Sequence, residues 1–151
     1  ILTKNALPTI GDLKECDSND YELLRITLGI PDGVQDMQFQ KTILLEAGFD
    51  ELKGICWKKG CYMGQELTAR TKYRGLIKRR LIPVSVDGTL PEPGTFIMFG
   101  EKEAGEIRSG VGNAAMALMR LNILEEWSRL GGELTAGSSC VMPQKQSWMN
   151  F

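Results

Sequence analysis

The chain has 151 residues, 42% apolar and 25% charged, with a net charge of −1, enough for one real core or two small units packed together. That balance argues against a general nucleic-acid binder, and no apolar run approaches the ~18 residues of a membrane span. Four cysteines and no histidine fit neither a secreted disulfide framework nor a C-x-x-C metal pair, so a reducing compartment is expected, with the imidazole ligand and base both absent.

Residues 1–18 read as a connector broken by Pro8 and Gly11. A helix is predicted from 19 or 20 to 28, with Tyr21, Leu24 and Leu28 on one face and Asn19 and Glu22 as a capping box. Gly29 and Pro31 stop it, and Pro31-Asp32-Gly33 is a turn signature. Over 38–49 the pattern fits a short strand or a helical turn equally well. A second helix is predicted over 65–73, where Glu66 and Arg70 stand four apart and pair, and Gly75 ends it. Beyond it the period changes to two: Ile82, Val84 and Val86 alternate with Pro83, Ser85 and Asp87 in a strand over 76–86, which Pro83 places at an edge or bulge. Turns at Asp87-Gly88 and 91–94 separate it from apolar runs at 95–99, 104–107, 114–121 and 139–142, with a helix at 123–129 between the last strands. Short strands punctuated by Gly and Pro predict a small antiparallel barrel.

The segment Lys59-Gly60-Cys61-Tyr62-Met63-Gly64-Gln65-Glu66 concentrates the chemistry. A cysteine serves as nucleophile or soft-metal ligand as its thiolate, and neighbouring Lys58 and Lys59 with a following helix N-terminus are expected to pull its pKa below ~8.5. Gly60 and Gly64 remove bulk around the sulfur, which opens it to a ligand or a second chain. Cys56, between Ile55 and Trp57, reads as a core residue, and Cys16 and Cys140 as structural ones. Trp57, Trp127 and Trp148 read as packing residues, and Met116 and Met119 as strand residues facing the core.

The stretch from Trp57 to Arg70 resembles the K-G-C-Y-x-G-Q-E signature of the YgfZ-type iron-sulfur cluster maturation proteins, folate-binding relatives of the glycine-cleavage T-protein. Arg74-Gly75 continues the family pattern, and Leu24-Arg25-Ile26 with Gly29-Ile30-Pro31 resembles its R-I-x-x-G-I-P segment, so the likeness covers roughly residues 20 to 120. It implies an α+β fold: the C-terminal part of a central folate-binding-type domain over 1–75, then a small antiparallel β-barrel over 76–151. Because the chain opens on Ile1 and the family carries a further N-terminal domain, it is expected to be the C-terminal part of a longer protein.

The resemblance also implies tetrahydrofolate as ligand and iron-sulfur carrier or client proteins as partners, without nucleic acid or membrane. Cys61 would be the reactive residue, open between ligating an iron-sulfur cluster shared with a partner, forming a transient disulfide and contacting folate. Lys59 would lower its pKa or pair with a ligand carboxylate, Gln65 and Glu66 would meet the edges of a pterin-like ring, Tyr62 would stack on the ring or anchor the loop, and Arg70 would face the ligand or Glu66. The basic run of Arg70, Lys72, Arg74, Lys78, Arg79 and Arg80 reads either as solvated surface or as a docking site for a polyglutamylated folate tail or an acidic protein. With only Tyr73 among these cations, base stacking is disfavoured. Tetrahydrofolate-dependent aminomethyl transfer is the enzymatic alternative, and an interaction module with an incidental cysteine is the third. A bacterial cytoplasm is expected, since no transit segment is seen, with the mitochondrial matrix as the alternative.

Overall fold

The computed structural model describes residue 11, residues 16–75 and residues 77–151. Elements run in the order α1 (Ser18–Thr27), α2 (Gln65–Tyr73), β1 (Arg79–Asp87), β2 (Phe96–Phe99), β3 (Lys102–Val111), β4 (Ala114–Arg120), α3 (Leu121–Leu130), β5 (Leu134–Ala136) and β6 (Ser139–Pro143). The six strands close into an antiparallel barrel in the order β1-β4-β3-β2-β5-β6, so the fold is α+β with a small barrel. Most of the 1–18 connector and Leu76 lie outside the described residues.

Period-two alternation builds the barrel interior. Ile82, Val84 and Val86 of β1 point inward with Ile97, Ala104, Ile107, Ala115, Ala117, Met119, Leu134, Ala136 and Val141, and Ile123 of α3 joins them. β1 pairs with β4 on one side and β6 on the other, which corrects the edge assignment suggested by Pro83. That proline is tolerated because the β6 register begins one residue later, at Val84 opposite Pro143. There the Pro83 carbonyl still accepts the Gln144 N–H at 2.8 Å. The three-residue β5 had no pattern long enough to announce it.

Residues 18–49 pack on the outside of the barrel. Ile26, Ala47, Leu81 and Met116 form a second buried cluster, so β4 is buried on both faces: Met119 inside, Met116 outside. The 38–49 segment is a series of turns, and its Glu46 carbonyl accepts from the Leu81 N–H at 2.8 Å. The cap of α1 lies two residues ahead of the expected Asn19, with Asp17 and Asp20 as the reciprocal capping box. Its Tyr21, Leu24 and Leu28 are 63%, 58% and 45% exposed, whereas Arg25 and Ile26 are buried. A polar lock turns the helix this way. The Arg25 guanidinium donates to Asp36 at 2.7 Å, to Glu22 at 2.6 Å and to Ser109 at 2.9 Å, and Asp36 accepts from the Ser109 hydroxyl and the Asp32 N–H. The R-I-x-x-G-I-P segment is therefore a structural latch. Gly29 follows α1 at φ +73°, in the left-handed region that favours glycine.

Candidate thiol site

Cys61 lies in the loop that leads into α2, and its side chain is exposed. The loop is fastened upstream of the sulfur. The Trp57 indole donates to Asp50 Oδ1 at 2.5 Å, and Lys72 of α2 donates to Asp50 Oδ2 at 2.8 Å. The Lys72 ammonium also sits 4.1 Å from the centre of the Trp57 ring, with Tyr73 edge-on at 6.4 Å. Burial works to raise the Asp50 pKa, but the hydrogen bonds from Lys72 and Trp57 outweigh it and hold the carboxyl below its ordinary value. Downstream, Gly64 caps α2 in the left-handed region at φ +85°, with no side chain capping the first turn. A Cβ at Gly60 or Gly64 would meet nothing within 4 Å. The need for glycine at 64 is therefore its backbone angle.

The other expected site residues are near Cys61 in the chain without forming an enclosed pocket. Lys59 places its ammonium 4.5 Å over the Tyr62 ring, which ties Lys59 to its neighbour and leaves the tyrosine half-buried. Gln65 is half-buried at the start of α2. Glu66 accepts from Arg70 at 2.8 Å, the predicted i,i+4 pair, with side chains 85% and 52% exposed. Lys59, Cys61, Tyr62, Gln65, Glu66 and Arg70 line none of the five cavities described.

The basic run is largely absorbed by carboxylates that sequence proximity could not reveal. Lys72 pairs with Asp50, Arg79 with Glu46 and Arg80 with Glu51, while Arg70 pairs with Glu66. Arg74 and Lys78 are exposed and in no ion pair among the described residues. Lys78 and Arg79 line a cavity of about 820 Å³ with Arg120, Glu46 and Glu125.

Three cysteine readings change. Cys56 is exposed, not packed in a core, because Ile55 and Trp57 on either side are the half-buried anchors and turn the residue between them outward. Cys16 is exposed as well. Cys140 is exposed on the outer side of β6, where its neighbours Ser139 and Val141 take the inward positions. The tryptophans do pack: Trp148 donates to the Leu28 carbonyl and Trp127 to the Gly132 carbonyl. Among the described residues no group of three His, Cys, Asp or Glu side chains could hold a metal ion, and no helix is long and apolar enough to cross a membrane.

Residues 78–151 match the family model described as CAF17, C-terminal beta-barrel domain. The chain is 40% identical over 117 residues to the iron-sulfur cluster assembly factor IBA57, mitochondrial, of Mus musculus, covering 74% of this chain and 31% of that protein. It is 38% identical over 105 residues to the Homo sapiens protein of the same name, 66% of this chain and 30% of the relative. Over 68 residues it is 50% identical to the Dictyostelium discoideum homolog, 45% of this chain and 17% of the relative. The chain thus spans less than a third of the length of these relatives.

Proposed function

We propose that this protein is an accessory factor in iron-sulfur cluster assembly or repair, acting through Cys61. The observation that carries the reading is the likeness to relatives named as iron-sulfur cluster assembly factors. An exposed thiol on a loop held by Trp57, Asp50 and Lys72 supports it, because a sulfur that passes or shares a cluster has to reach a second protein. Thiolate sulfur suits iron, and one sulfur does not hold a cluster alone, so carrier or client proteins supply further ligands. The relatives are named mitochondrial, which favours the mitochondrion over a bacterial cytoplasm as the compartment.

Tetrahydrofolate belongs to the proposal through the resemblance alone. Tyr62, Gln65, Glu66 and Arg70 would meet a pterin-like ring, and the enclosing walls would come from outside the described residues. Residues 1–75 would then be the C-terminal part of a central folate-binding-type domain.

Complementation of a deletion strain by the full-length protein tests the reading. Cys61→Ala is expected to keep the circular dichroism spectrum and lose the activity, and full complementation by that variant overturns the role of Cys61. Titration of the full-length protein with tetrahydrofolate tests the ligand separately, and absence of saturable binding removes it from the proposal.

A further inference from the structure

Cys56 and Cys61 are separated by four residues, Trp57 to Gly60. Both are exposed, and the backbone bends through 57–59 between them. Trp57 is pinned to Asp50 and Ile55 is half-buried, so the anchors of this loop are the residues flanking Cys56, while the two sulfurs stay on its solvent side. A C-x₄-C spacing is one of the spacings by which thiolates hold a [2Fe–2S] cluster, in which each iron takes two of the four thiolates. The residues within the spacing suit such a load. Lys58 and Lys59 are exposed and in no ion pair among the described residues, leaving cationic charge beside a dianionic tetrathiolate cluster, and a Cβ at Gly60 would meet nothing within 4 Å, which leaves room for an iron beside the loop.

Resting on the cluster-assembly reading, we propose that Cys56 and Cys61 act as a pair, supplying both thiolates to one iron of a [2Fe–2S] cluster whose other iron is held by the thiolates of a partner. Loading is a ligand exchange. As the two Sγ atoms bind iron, two thiolates of the donor leave and take up the two protons that the cysteines release, with no change in oxidation state. Cys56 is exposed as Cys61 is, and the pairing lowers the partner's share of the four thiolates from three to two.

The test uses the full-length protein with Cys16→Ser and Cys140→Ser as background, kept anaerobic. Cadmium ion reports thiolate ligation by its charge-transfer absorption, and reconstitution with ferrous iron, sulfide and glutathione reports cluster by iron and labile sulfide per chain. Cys56→Ser is expected to weaken cadmium binding roughly tenfold or more and to lower cluster yield as Cys61→Ser does, with an unchanged circular dichroism spectrum. If Cys56→Ser matches the background in both assays while Cys61→Ser loses them, the pair is overturned and a single-thiolate cluster-assembly role stands. If both variants match the background, the pair and the cluster-binding role of Cys61 fall together.

Discussion

Arg25 is 4% exposed and meets Glu22, Asp36, Ser109 and the Ile30 carbonyl, while the Asp36 side chain is 0% exposed. Two buried charges of this kind gain little over an apolar pair of the same volume, but either one left alone is costly. Asp36→Ala is therefore expected to destabilise the fold by about 3 kcal/mol or more, read as a lower urea midpoint. A midpoint within experimental error of wild type would show that Glu22 alone satisfies the guanidinium. The latch joins α1 and the neighbouring Pro31 turn to β3, which lies far along the chain. Sequence reasoning singled out Arg25 through the family-like motif and not as a buried ion, since its partner Asp36 and its hydroxyl contact Ser109 follow no periodicity. Cys56 misled for a related reason: apolar neighbours imply burial only when the chain does not alternate sides, and here it does.

Among the elements, α2 begins and ends where the pattern of residues 65–73 placed it, because its limits are written locally in Gly64, the Glu66–Arg70 spacing and Gly75. Its attachment to the rest of the molecule is not local. An exposed i,i+4 pair such as Glu66–Arg70 is worth only about 0.5 kcal/mol, so the Lys72–Asp50–Trp57 clamp is what fastens helix and cysteine loop together. Asp50 has a lowered pKa in the fold. The folded state therefore binds fewer protons there than the unfolded chain, and the clamp contributes fully above about pH 4 and fades as the solution is acidified through the lowered value. Wild type is expected to exceed Asp50→Asn in urea midpoint at neutral pH, with the gap closing below about pH 4. A gap independent of pH would mean that the clamp acts through shape and not through charge. α1 shows the opposite balance. Its apolar stripe of Tyr21, Leu24 and Leu28 is regular enough to predict a helix, and yet Arg25 and Ile26 are the buried residues, Ile26 in the cluster with Ala47, Leu81 and Met116.

At the scale of the molecule, the barrel was legible from alternation and turn spacing, whereas its strand order was not, because antiparallel pairing of β2 with β5 and of β1 with β6 depends on partners that no local pattern specifies. Close strand approach leaves its mark at Gly105 of β3, where a Cβ would lie 2.7 Å from both the Leu118 carbonyl oxygen and Met119 Sδ. Gly105→Ala is expected to cost about 1–3 kcal/mol by overpacking, measured as a drop in thermal midpoint, while a neutral result would mean that β3 and β4 can part without loss.

The junction of β1 with β6 sets Val84 against Pro143 and Asp87 against Cys140, so the ring is sealed by the two strands that leave the ribosome furthest apart. During synthesis β1 has β4 on one side and, at Leu81, the Glu46 carbonyl on the other, while its 84–87 end stays unpaired on that side until the final strand arrives. The last hairpin is then both the lock of the ring and the guard against intermolecular strand pairing, and a nascent chain stalled before it would present the cell with an adhesive edge.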